Sequence, residues 1–145
     1  MQYEPEWHAN DDQSTVFVIE RDQVVRSALH YILQERYRTY TFASLDDALA
    51  SAMDAPDTVL VGTSILQGEN DGIVAALGRR YGGAAVLVVA DRSSDPLARL
   101  ALERGARGIV CKPISFDAVC EAVDRALTTP IFRNVPSRLI RVAFG

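Results

Sequence analysis

The sequence predicts an α/β domain in three layers: a doubly wound, five-stranded parallel sheet with five helices on its two faces. Three observations carry this. Apolar runs of strand length alternate with stretches of helical spacing along most of the chain, the pattern of successive βα units. Four of the five runs, TVFVIE, TVLVG, AAVLVVA and RGIVCK, are largely apolar, as in strands covered on both faces; a sheet with one wet face would alternate. Parallel neighbours need long crossovers, and the helical stretches supply them.

The elements follow in order. TVFVIE (Thr15–Glu20) is β-branched and aromatic, a short buried strand ending on an acid. DQVVRSALHYILQER has Val25, Leu29, Ile32 and Leu33 on one helical stripe, with Arg26, Gln34 and Glu35 turned away and Asp22 as N-cap. YRTYTF alternates like a strand. SLDDALASAMD opens on Ser44 with Asp47 three residues later, a capping-box arrangement with Asp in place of Glu. TVLVG is the third strand, followed by a loop, TSILQGENDG, and helical spacing resumes at Ile73, Ala76 and Leu77. Ala84–Ala90 is the fourth strand. The fourth helix has Pro96 in its first turn and Gly105 as its stop. RGIVCK is the fifth strand, and the fifth helix is capped by Ser115, with Phe116, Val119, Val123 and Ala126 inward.

Composition narrows the class. A chain of 145 residues, 48% hydrophobic and 23% charged, fits one globular domain. Residues 1–13 read as a flexible lead-in, 14–127 as the folded domain and 128–145 as a tail or linker. That tail carries three arginines, no acid and two prolines, and is too short for a helix-turn-helix. A net charge of -4 predicts no direct nucleic-acid partner. No apolar run approaches the roughly 20 residues of a membrane span, and the polar N-terminus does not read as a signal peptide. Cys111 and Cys120 lack the spacing of a redox or zinc motif and are expected as buried thiols in a reducing cytoplasm.

Ligands of such sheets bind beyond the carboxyl ends of the strands. Those ends supply Glu20–Arg21, Gly62–Thr63, Ala90–Asp91 and Lys112–Pro113. Around them, VFVIERDQVVRSAL, PDTVLVGTSI and LALERGARGIVCKPISFDAVCEAVDRAL resemble, in order and spacing, the receiver domain of bacterial two-component response regulators over about residues 14–127. The resemblance implies strand order 2-1-3-4-5, a flavodoxin-like sheet. It also implies five functional features: two acids after the first strand, a phosphoacceptor aspartate ending the third, a Ser or Thr ending the fourth, an aromatic switch in the fifth, and a lysine before its proline. The acids hold magnesium in that family.

Here the acids are Glu20 and Arg21, the acceptor position is Gly62, the Ser/Thr position is Ala90 and the switch position is Ile109; Lys112 and Pro113 are kept. Phosphoryl transfer needs a nucleophilic oxygen, a cation and donors to the equatorial oxygens, and glycine offers no oxygen. Asp57 starts the third strand, roughly 15 Å from the mouth. Thr63 and Ser64 are hydroxyls with no base in view, and His8 and His30 fall outside the site. The resemblance is therefore to a pseudo-receiver: no catalytic residue, metal or cofactor, and no switching between two states.

Lys112 must find a carboxylate. Two arrangements are open: a Glu20/Asp91–Lys112/Arg21 cluster, or a Glu20–Lys112 pair with Arg21 in solvent. Receivers meet signalling partners through the fourth helix, fifth strand and fifth helix. That face should present Arg99, Arg104, Glu121, Asp124 and Arg125 to a kinase, regulator or output domain, or to a second copy in a homodimer. The alternative is a small-molecule or anion sensor using the vacated mouth, with Arg21, Lys112 and the Gly62–Thr63 backbone as donors. An enzyme on a related fold has no phosphate loop, nucleophile elbow or metal cluster in its support.

Overall fold

A computed structural model describes residues 13–67 and 72–128. The lead-in and tail therefore lie, apart from Gln13 and Thr128, outside the described residues. The elements run β1 (Thr15–Ile19), α1 (Gln23–Leu33), β2 (Arg38–Phe42), α2 (Leu45–Ala50), β3 (Thr58–Gly62), α3 (Thr63–Leu66), α4 (Ile73–Arg80), β4 (Ala85–Ala90), α5 (Pro96–Glu103), β5 (Gly108–Cys111) and α6 (Phe116–Thr128). All pairings are parallel, in the order β2-β1-β3-β4-β5.

The apolar strands lie where apolar strands must. β3 and β4 are buried along their whole length, between two apolar layers. One layer packs Phe17, Val59, Val61, Val86 and Val88 against α3, α4 and α5. The other packs Val16, Val18, Leu60, Leu87 and Val110 against α1 and α6. Phe17 centres an aromatic group, with ring centroids 5.0 Å from Phe42 and 5.5 Å from Tyr81, edge-on as such rings prefer.

Caps fix where the helices start. Asp22 accepts from the amides of Val24 and Val25, Ser44 from Asp47, and Asp95 from Leu97 and Ala98. Gly105 stops α5 at φ +113°, a left-handed conformation that favours glycine.

The structure corrects several expectations. TSIL, expected as loop, forms the single turn α3, too short to show a period. Phe116, expected inward, is 47% exposed; Cys120 takes a buried place on α6. Cys111 is half-buried, because β5 is an edge strand. Arg26 does not simply face away: its guanidinium donates to the carbonyls of Glu20 (2.8 Å) and Arg21 (3.2 Å).

Candidate functional site

Glu20, Gly62, Asp91 and Lys112 meet at the carboxyl edge of the sheet, where strand order places the ends of β1, β3, β4 and β5 together. A cavity of about 510 Å³ opens there, lined in part by Glu20, Arg21, Ser64, Asp91, Asp95 and Lys112. Below it β3 and β4 are buried along their length.

Glu20 is 3% exposed. Its Oε2 accepts from the Asp22 amide at 2.9 Å and from the Ser64 hydroxyl at 3.5 Å. Lys112 pairs with Asp91, Nζ to Oδ1 3.2 Å. That is the Asp91–Lys112 half of the expected cluster; the Glu20–Lys112 contact, expected in both arrangements, is not formed. Strand order gives the reason: β5 adjoins β4, whose end carries Asp91, while β1 lies two strands further off. Arg21 is exposed and makes no ion pair among the described residues; only its carbonyl is engaged, by Arg26.

The two positions expected for a switch, Ala90 and Ile109, are both apolar. Ala90 is fully buried at the end of β4, and its carbonyl accepts from the Lys112 amide at 2.9 Å. Ile109 is half-buried, packed against the layer that includes α5. Asp57, at the far end of β3, accepts from the Thr15 amide at 2.9 Å and takes no part in the mouth. Ser64 does have a carboxylate beside it, which sequence reasoning missed.

The residues present do not fit the magnesium ion that the resemblance implies. Of its three acidic positions, one is a guanidinium, one has no side chain, and the third, Glu20, is tied to an amide and a hydroxyl. Asp22 is spent on the cap of α1. Among the described residues no three His, Cys, Asp or Glu side chains are grouped to hold a metal.

The expected partner face divides. Arg99 and Arg104 are exposed on and just after α5. Glu121 and Arg125 pair along α6 at 3.0 Å, both well exposed. Asp124 belongs elsewhere: it accepts a short hydrogen bond from the Tyr37 hydroxyl and pairs with Arg36 at 3.4 Å, on the α1 side of α6. Burial first, then the bond to Asp124, holds the Tyr37 hydroxyl well above the usual tyrosine range. Arg36, beside Cys120 and Asp124, is also raised.

No protein-family model matches the chain, and no curated protein matches it. Solved structures do. The DrrB receiver domain in its beryllofluoride-activated form superposes with a TM-score of 0.70, at 20% identity over 81% of this chain and 99% of that one. A CheY-like receiver domain protein from Methanospirillum hungatei gives 0.69 at 17% identity, over 80% and 94%. NtrX from Brucella abortus gives 0.73 at 23% identity over 88% of this chain but only 30% of that longer protein. The fold is a receiver fold. At these identities the likeness speaks for the architecture; what the domain does rests on the mouth. Among the described residues no helix is long and apolar enough to cross a membrane.

Proposed function

We propose that this domain is a pseudo-receiver: a non-phosphorylatable protein–protein interaction module in bacterial two-component signalling or transcription control, working in the cytoplasm without metal or cofactor and without catalysis of its own. One observation carries the reading. The acceptor position is Gly62, and the Glu20 carboxyl group lies against it, so the mouth lacks a nucleophile where receivers keep one and has a buried acid there. A phosphoryl group would be repelled from this floor, and Ala90 and Ile109 would not answer it.

The α5–β5–α6 face then serves as a constitutive surface. Arg99 and Arg104 with the Glu121–Arg125 pair give it mixed charge, suited to a signalling partner or a second copy rather than to nucleic acid. The anion-sensor reading has the cavity in its favour, but Lys112 is committed to Asp91 and Glu20 faces the place where the anion would sit.

The test is amide NMR of the full chain with magnesium and beryllofluoride. The expected spectrum is unchanged. Shifts confined to Glu20, Gly62–Ser64, Ala90–Asp91 and Lys112 would sink the reading.

A further inference from the structure

The backbone at position 62 does not ask for glycine. Its φ of -74° and ψ of 151° suit any L-residue. A neighbour excludes the side chain instead. A Cβ added to Gly62 would lie 2.1 Å from Glu20 Oε1, 2.9 Å from Cδ and 3.3 Å from Oε2, and these are the three heavy atoms nearest to it. Register accounts for the meeting: Ile19 pairs with Val61, so the next residues along, Glu20 and Gly62, stand side by side on one face of the sheet. Glu20 is held there by the Asp22 amide and the Ser64 hydroxyl.

We infer that Glu20 is the resident of the acceptor position. Its carboxylate, delivered from β1, fills the volume that a side chain on β3 would take, and it ties the end of β1 to the first turns of α1 and α3. In functional terms this rests on the pseudo-receiver reading. It makes Glu20, and not the exposed Arg21, the first obstacle to an acceptor side chain at 62. Any side chain at 62 must push the carboxylate outward, off its two donors and into the cavity beside Asp91 and Asp95.

A double-mutant cycle on the full chain tests this, read by thermal melting and by the Asp22 amide resonance. Gly62→Ala should lower Tm by roughly 3–8 °C, the scale of a mild overpacking defect, and should move the Asp22 resonance because that amide loses its acceptor. In a Glu20→Ala background the same change should leave Tm unchanged or raise it, since no other atom lies nearer than 3.3 Å to the new methyl and alanine loses less backbone entropy on folding. In a Glu20→Gln background, which keeps the bulk, the cost should return. Additive Tm changes, or an Asp22 resonance unmoved by Gly62→Ala, would overturn the inference. The resonance decides even if Glu20→Ala does not fold. Beryllofluoride binding by the wild type would end the pseudo-receiver reading and leave the cycle's answer on Glu20 standing; an additive cycle with a silent wild type would do the reverse.

Discussion

Glu20 and Asp124 are both carboxylates that join α1 to the rest of the domain, and they are held in opposite ways. Glu20 is buried and, among the described residues, meets neutral donors only, an amide two residues on and a hydroxyl on α3. Asp124 is half exposed and meets a guanidinium and a buried phenol brought from the end of α1. The first is set by strand register, the second by the packing of two helices far apart in sequence. The buried acid belongs to the mouth; the half-exposed acid with two partners is a structural joint. Charge alone would have assigned them the other way round.

Asp124→Ala should have the largest effect of the changes that break this contrast. It strands the Tyr37 hydroxyl, in a residue only 6% exposed, without its acceptor, and it removes the carboxylate beside Arg36. An unsatisfied buried polar group costs about 1–3 kcal/mol, and urea unfolding should show a loss in that range. A loss below about 0.5 kcal/mol would reduce the joint to surface decoration, since ordinary surface substitutions fall within that range. The mouth should be untouched, with Asp22 and Lys112 amide resonances in place.

How much of this was legible beforehand differs between the two sites for physical reasons. The fold was legible because β3 and β4 are apolar throughout and capping residues sit where the helices begin. The turn α3 was not, being four residues long inside a stretch rich in polar and glycine residues. At the mouth, the residues that end each strand, Glu20, Gly62, Asp91 and Lys112, could be read from the sequence. The pairing could be read only in part: Lys112 was matched to Glu20 first and to Asp91 second, and the sheet order sets it beside Asp91. The packing of Glu20 against Gly62 was present in principle, as two strand ends in register, but depends on side-chain direction. Asp124 was read as part of a partner face because helical spacing shows that a residue is off the core, and not which neighbour it turns to.

Tyr37→Phe sharpens the same joint with a smaller effect, about 0.5–1.5 kcal/mol for one hydrogen bond, and adds a pH signature. Folding raises the Tyr37 pKa above its ordinary value of 10.0. Below that value both the folded and unfolded chains keep the proton, and the stabilisation is fully present. Above it the unfolded chain loses the proton first, so stability falls as pH rises. The gap between wild type and Tyr37→Phe should hold steady from neutral pH to about 10 and narrow beyond it. A gap that is flat to pH 11, followed by denaturant midpoints, would place the hydroxyl in water.

Asp91→Ala should matter least. The Asp91 side chain is 73% exposed and that of Lys112 31%, so the pair is worth about 0–1 kcal/mol and should fade with salt over the range where surface charges are screened. Its loss also frees Lys112 within the cavity, leaving Arg21 and Lys112 against Glu20, Asp22 and Asp95. If the mouth can be turned toward an anion at all, this is the variant in which inorganic phosphate would raise Tm, by an amount set by its concentration over its dissociation constant. The expected result is no rise, because Glu20 still supplies a buried negative charge at the floor. A phosphate-dependent rise in Asp91→Ala, absent in the wild type, would show that the ion pair, and not Glu20, keeps the site closed.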